Sequence, residues 1–134
     1  MKVESLIKKL DKAHEGSRKL DTDITKMIFP EIAEKRADDL QTSKETFWEM
    51  HGIRTRIMDY TTSIDSALTL IPSECKMYAL YWASGGMPAK AIISQSGMGV
   101  FIGGGYSYST PALAICVAAL KARYRPLATK AKDW

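Results

Sequence analysis

The spacing of apolar and polar residues predicts a pair of helices at the start of the chain. Apolar residues recur every three or four positions, between lysines and acids, over residues 2–13 and again over residues 18–28. Gly16 separates the two stretches, and Ser17 suits the N-cap of the second. Residues 2–28 are therefore expected to form a helical hairpin. Its two apolar stripes consist of Val3, Leu6, Ile7 and Leu10, and of Leu20, Ile24, Met27 and Ile28.

Two further stretches carry signals for the start of a helix. Thr62 followed by Asp65 matches an acidic form of the capping box and predicts a helix over residues 63–70. Thr110 suits an N-cap, and Pro111 suits the first helical position, where its missing N–H costs nothing. The helix predicted over residues 111–124 has a broad apolar face formed by Leu113, Cys116, Val117, Leu120 and Tyr124. Its many alanines make it slim enough to pack closely on a sheet.

Between these two helices the period changes to that of β-strands. Aromatic, β-branched and other apolar residues fill residues 76–84, 89–95 and 98–104, with turn signals between them. Three short strands in this order predict an antiparallel meander. With the helices, they predict an α/β protein of the α+β kind, in which a three-stranded, mostly antiparallel sheet is sandwiched between helices.

The stretch from residue 29 to residue 58 has the weakest pattern. A short helix is predicted near residues 30–40, where Pro30 suits a first-turn position. Phe47 and Trp48 are expected to anchor the stretch to the core. Residues 30–55 form a lid, an insertion or a plain connection, and periodicity does not decide among these.

Length and composition predict one domain spanning all 134 residues, of which 46% are hydrophobic and 25% charged. It divides into a helical hairpin (2–28), a variable connection (29–58), a helix, meander and C-terminal helix (59–125), and a basic tail (126–134). No apolar run approaches the ~20 residues of a membrane span. The start of the chain lacks the apolar block of a secretion signal, so a cytosolic protein is expected.

Cysteine and histidine usage argues against metal and disulfide chemistry. Cys75 and Cys116 show no repeated spacing and are expected to be buried free thiols, with a disulfide between them as the alternative. His14 and His51 have no partner at the spacing that metal sites use. No metal and no cofactor are expected.

Two segments resemble a known family. DYTTSIDSALTLIP, residues 59–72, is followed after a strand-rich stretch by YSTPALAICVAALKAR, residues 108–123. This combination resembles the small phage and prophage proteins of the phage ABA sandwich domain family, and residues 6–24 fit the family's N-terminal helical region. The resemblance implies a sheet sandwiched between helices and a viral origin. It implies no catalytic residue.

The segment GGGYSYSTP, residues 103–111, is the main candidate for ligand chemistry. The N–H groups of Gly103, Gly104 and Gly105 would approach a phosphate, and the helix that starts after them would favour an anion. The alternative is a plain turn from strand to helix. The segment lacks the lysine of a P-loop, and Pro111 removes one of the donors.

Aromatic and basic residues extend this candidate site. In an extended loop the tyrosines of YSYS would point to one side and its serines to the other, which suits a base and its phosphate or ribose. The alternative places one tyrosine in the core and one on the surface. Arg54 with Arg56, and Arg123 with Arg125, form either anion clamps or solvated surfaces. The predicted ligand-binding residues are Gly103, Gly104, Gly105, Tyr106, Ser107, Tyr108, Ser109, Thr110, Arg54, Arg56, Trp82 and Arg123.

A net charge of +4 favours anionic ligands, whereas no spacing of acids, histidines or cysteines matches a catalytic set. These observations and the resemblance favour a phage-encoded, non-enzymatic protein in the host bacterial cytoplasm. We expect it to sequester a nucleotide signal of host defence, such as a cyclic oligonucleotide or an ADP-ribose derivative, as a homo-oligomer. The alternative is an accessory protein that binds a protein or nucleic acid. A nucleotide-degrading enzyme is the third candidate.

Overall fold

The computed structural model describes residues 2–36, 46–81, 89–95, 100–107 and 110–124, and these form a mixed α+β structure, as predicted. In chain order the elements are α1 (Val3–Lys12), α2 (Arg18–Ile28), β1 (Ala33–Arg36), β2 (Thr46–Met50), β3 (Ile53–Thr55), α3 (Ile64–Leu68), β4 (Cys75–Tyr81), β5 (Ala89–Gln95), β6 (Val100–Ser107) and α4 (Pro111–Arg123).

The strands β4, β5 and β6 form the predicted antiparallel meander, in that spatial order. Alternate residues of β5 face the core, because Ala89, Ala91 and Ile93 are buried while Lys90 and Ile92 between them are partly exposed. The register of β4 shifts between Met77 and Ala79, and that of β6 shifts opposite Ile93 and Ser94.

Helix α4 occupies the centre of the core. Every residue from Pro111 to Leu120 is buried, which explains why this helix is apolar on all sides. One side of α4 packs on β5 and β6, and α1 and α3 also pack on α4. The predicted sandwich, with helices on both faces of the sheet, is not confirmed. The contacts among the described elements instead place α4 between the sheet and two other helices.

A second antiparallel sheet, with strand order β1-β2-β3, lies where a short helix was predicted. The helix prediction is wrong for residues 30–36, since Pro30 lies in a turn and β1 follows at Ala33–Arg36, and residues 37–40 lie outside the described part of the chain. His51 and Gly52 join β2 to β3 in a two-residue loop with φ of 53° and 78°. Positive φ at both positions is the type I′ turn that matches strand twist.

Helix caps explain where three of the helices begin. Ser17 accepts a hydrogen bond from the N–H of Leu20, and Thr110 accepts one from the N–H of Leu113, as predicted. At α3 the cap is Ser63, which accepts from the N–H of Ser66. The prediction of Thr62 as the cap is therefore wrong by one residue. Among the helices described, none combines the length and the apolar character that crossing a membrane requires.

Candidate functional site

The glycine run lies inside a strand and not in a loop. Gly103, Gly104 and Gly105 belong to β6 and pair with β5. Successive N–H groups of an extended strand point in opposite directions, so three of them do not converge on one phosphate. The loop predicted for this run is therefore replaced by a strand, which was predicted for Gly103 and Gly104 but not for Gly105, and ligand binding by the three glycines stays a prediction. The strand that contains these glycines packs against α4.

The start of α4 also offers few donors to an anion. Pro111 has no N–H, and the N–H of Leu113 donates to the hydroxyl of Thr110 at 3.1 Å. The N–H of Ala114 donates to the carbonyl oxygen of Thr110 at 3.3 Å. The first turn is buried, and Ala112 is only 2% exposed. A ligand in solution therefore does not reach the N–H of Ala112.

The polar residues that follow the glycines divide into two groups. Tyr106 and Ser107 are the last residues of β6, where they pair with Lys90 and Ala89 of β5. The other predicted ring and hydroxyl residues lie outside the described part of the chain. These are Tyr108, Ser109 and Trp82.

The predicted arginines have separate local roles. The guanidinium of Arg54 lies over the ring of Phe47, 4.7 Å from its centroid. Arg56 is exposed just after β3. Arg123 uses Nε and Nη2 to donate two hydrogen bonds, of 3.2 and 2.8 Å, to the carbonyl oxygen of Leu70. The two bonds tie the end of α4 to the turn after α3.

The meander has a second face, which we call the outer face, turned away from α4. It carries Ala79, Tyr81, Lys90, Ile92 and Gly104. Tyr81 lies directly opposite Lys90 and is 57% exposed. Ala79 and Gly104 both pair with Ile92, and Ile92 lies outside the core cluster. The centre of the outer face is thus flat and apolar, with an exposed ring and an ammonium group at its border.

The outer face can hold a flat ring on Tyr81 and a negative charge beside Lys90. Neither residue was in the predicted binding set. The signal for them was the alternation in AKAIIS, which assigns Lys90 to the face opposite Ala89 and Ala91. The pairing of β4 with β5 is what places Tyr81 opposite Lys90.

Comparison with known proteins gives no further guide. No protein-family model, curated protein or solved structure matches this chain. The resemblance to the phage ABA sandwich family stays a prediction.

A buried polar network links α2 to the segment before α3. Asp21 is only 1% exposed, and its Oδ1 accepts the backbone N–H of Thr61 at 2.8 Å and the hydroxyl of Thr61 at 2.7 Å. That hydroxyl oxygen accepts the N–H of Ser17 at 2.9 Å. Arg18 donates to Oδ2 of Asp21 at 3.3 Å and to the carbonyl oxygen of Ile57 at 2.9 Å. These satisfied partners assign the network to the structure of the protein.

Two ionisable groups near this network have shifted pKa values. The hydroxyl of Ser66, which donates to Asp59 at 2.9 Å, is the main cause that lowers the pKa of that carboxyl. Burial raises the pKa of the Cys116 thiol, whose Sγ donates to the carbonyl oxygen of Tyr60 at 3.2 Å. Cys75 and Cys116 are both buried, as predicted, and they form no disulfide with each other. Among the described residues, no three His, Cys, Asp or Glu side chains are grouped to hold a metal ion.

Proposed function

We propose that this chain is a non-enzymatic, phage-encoded protein that sequesters a nucleotide signal of host defence. The ligand class is a cyclic oligonucleotide or an ADP-ribose derivative, held on the outer face of the meander. The observation that carries the proposal is the pairing of Tyr81, 57% exposed, with Lys90 directly across the strand. The viral origin rests on the family resemblance alone.

The chemistry of a nucleotide matches the groups on this face. A base stacked on the ring of Tyr81 would contribute about 1–3 kcal/mol, and Lys90 would offset the charge of a phosphate. Ile92 and Ala79 supply an apolar floor for the sugar or a second base. Gly104 keeps the floor flat, since a Cβ there would meet only the carbonyl oxygen of Ala91, at 3.9 Å.

A flat face leaves one side of a bound nucleotide in water. Tight sequestration needs burial of most of the ligand surface. We therefore propose that a second copy of the chain covers the ligand, so that the protein works as a homo-oligomer. Ligand binding and self-association are then linked, and each should strengthen the other.

A single-stranded nucleic acid is the second candidate ligand. Lys76 is exposed and pairs with Ser94, four residues along β5 from Lys90. Lys76 lies on β4 and Lys90 on β5, so at about 3.3 Å per residue the two positions are offset by about 13 Å along the strand direction and by one strand across the sheet. Two cations on neighbouring strands could contact successive phosphates of an extended single-stranded nucleic acid.

Calorimetry and melting-temperature measurements test the proposal with a panel of cyclic dinucleotides, cyclic trinucleotides, ADP-ribose derivatives and an oligothymidine. We expect one nucleotide class to raise the melting temperature of the wild type. Tyr81→Ala and Lys90→Gln should each weaken its binding at least about tenfold. Lys8→Gln, on the exposed side of α1, is the matched control and should leave binding unchanged.

The outcomes separate the candidates. Binding of oligothymidine alone, with a steep loss between low and moderate salt, would replace the nucleotide proposal with the nucleic-acid one. Product formation from any member of the panel would identify an enzyme. No binding by any member would refute the proposed site, as would binding that neither variant affects.

A further inference from the structure

The hairpin of β2 and β3 projects a group of exposed residues from the smaller sheet. Every residue from 51 to 56 is exposed, and Ile53 is 71% exposed, the highest value among the large apolar side chains described. No residue of β1, β2 or β3 belongs to the core cluster. A single exposed apolar residue is ordinary on a protein surface, so the site rests on the charge and the strand edge beside Ile53.

The hairpin carries an excess of positive charge. Residues 50–58 include Arg54 and Arg56 but no acid. The acid that precedes them, Glu49, lies opposite Arg54 in the strand register, and its carboxylate forms an ion pair with Lys35 at 2.7 Å. The acid that follows them, Asp59, accepts a hydrogen bond from Ser66 and also interacts with the charge of Arg56, so the compensation is partial for Arg56. Stacking on Phe47 orients the guanidinium of Arg54 and reduces the entropy that it would lose on binding.

The outer side of β3 is a sheet edge among the described strands, whose order is β1-β2-β3. Met50 and Ile53 flank the two-residue loop and pair with each other. In such a hairpin this pair exchanges both backbone hydrogen bonds, so the next pair does not. The N–H and C=O of Arg54 therefore point away from β2, toward the edge.

We propose that the β3 edge binds an extended acidic segment of a partner protein as an added strand. The segment would exchange backbone hydrogen bonds with Arg54 and pack an apolar side chain on Ile53. Its carboxylates would lie near Arg54 and Arg56. A second copy of this chain fits poorly, because symmetric pairing around Arg54 places two arginines directly opposite each other. This site is separate from the outer face and does not depend on its ligand.

Two capped ten-residue peptides test the proposal, one alternating valine with glutamate and one alternating valine with lysine. Amide chemical shifts of the full chain report where each binds. We expect the glutamate peptide alone to shift the amides of Ile53–Thr55 and Arg56. The double variant Arg54→Glu/Arg56→Glu should lose at least about tenfold in affinity for it and gain affinity for the lysine peptide.

A matched variant and a competitor complete the design. Lys8→Glu/Lys12→Glu makes the same change of net charge on the exposed side of α1 and should leave peptide binding unchanged. An unaltered melting temperature of each variant shows that it folds. Equal binding of both peptides, shifts confined to other residues, or no shift at all would overturn the proposal. A 20-base-pair DNA duplex that shifts the same amides more strongly would assign the edge to nucleic acid and also overturn it.

Discussion

The hydroxyl oxygen of Thr61 lies 2.7 Å from Oδ1 of Asp21, and the backbone N–H of Thr61 donates to the same oxygen at 2.8 Å. A second acceptor, the carbonyl oxygen of Ser17, lies 3.2 Å from the hydroxyl. A hydroxyl carries one proton, and the shorter contact to a charged acceptor is the stronger one. The carboxylate of Asp21 thus holds a loop that is distant in sequence against the first turn of α2.

Removal of this carboxylate should be costly. Asp21→Ala leaves two donors of Thr61 without their acceptor in a buried site, which costs about 2–5 kcal/mol of unfolding free energy. Asp21→Asn retains an oxygen for Thr61 and loses the charge and the hydrogen bond that Oδ2 offers to Arg18, so its loss of unfolding free energy should be smaller. Urea unfolding of the three proteins measures the order. Equal losses of unfolding free energy in the two variants would show that the negative charge of Asp21, and not its hydrogen bonds to Thr61, stabilises the fold.

Two glycines should respond in opposite ways to the same substitution. A Cβ at Gly16 would fall 2.7 Å from Oγ1 of Thr61 and closer still to its carbonyl oxygen, so Gly16→Ala should destabilise by several kcal/mol or prevent folding. Gly104→Ala meets only ordinary contact and should be neutral or stabilising. Thermal unfolding of both variants checks this. A large loss at Gly104 would contradict the open outer face.

The pKa of Asp59 should depend on one hydroxyl. Its pKa is lowered mainly by Ser66, with help from its own backbone N–H and from the charges of Arg56 and Arg18, against desolvation. Ser66→Ala should therefore raise it toward the ordinary Asp value of ~3.9. A carboxyl NMR titration of both proteins measures the change. Arg56→Gln should cause a smaller rise, and an unchanged pKa in Ser66→Ala would exclude the hydroxyl as the cause.

The lowered pKa of Asp59 also determines how the stability of the fold should change with pH. Because the folded pKa of Asp59 is depressed, its contribution is present above the unfolded pKa and is lost as pH falls through the folded pKa. The difference in melting temperature between the wild type and Ser66→Ala should then become smaller as the pH falls from the ordinary pKa of Asp to below the folded pKa of Asp59. A difference that grows on acidification would reverse the assignment.

The two cysteines should be inert in the folded protein. Burial raises the pKa of the Cys116 thiol, and Cys75 is only 8% exposed, so little thiolate is available to reagents. Reaction with a chromogenic disulfide should be at least about 100-fold slower than in denaturant, where both thiols react. Rapid modification of one thiol under native conditions would contradict the burial of that residue.

Local signals predicted most of the helices because caps act between neighbours in sequence. Ser17 and Thr110 bond to N–H groups three residues away, which periodicity and residue type reveal. The second sheet lacked such a signal. β1 has the sequence AEKR, without apolar alternation, and it is supported by the ion pair of Lys35 with Glu49 on the neighbouring strand. Pairing between residues that are far apart in sequence produces no periodic pattern of apolar residues that could predict the strand.

The candidate site was harder to predict because faces depend on register. The segment GGGYSYSTP suggested a loop because glycine disfavours strands, although Gly103 and Gly104 also ended the strand predicted over residues 98–104. Tertiary packing overrides that propensity where the alanine-rich α4 crosses β6. Tyr81 and Lys90 become neighbours only through the pairing of β4 with β5. Sequence alone predicted that both lie on strands but not that they form a pair.

The burial of α4 on every side also sets an order of events during synthesis. The sheet and the helices α1 and α3 bury their apolar faces against α4, which is the last of the described elements to leave the ribosome. Until residues 111–123 emerge, the earlier elements have no common core and stay exposed to chaperones and proteases. The nascent chain should therefore gain protease resistance in a single late step as α4 emerges, and not gradually with length.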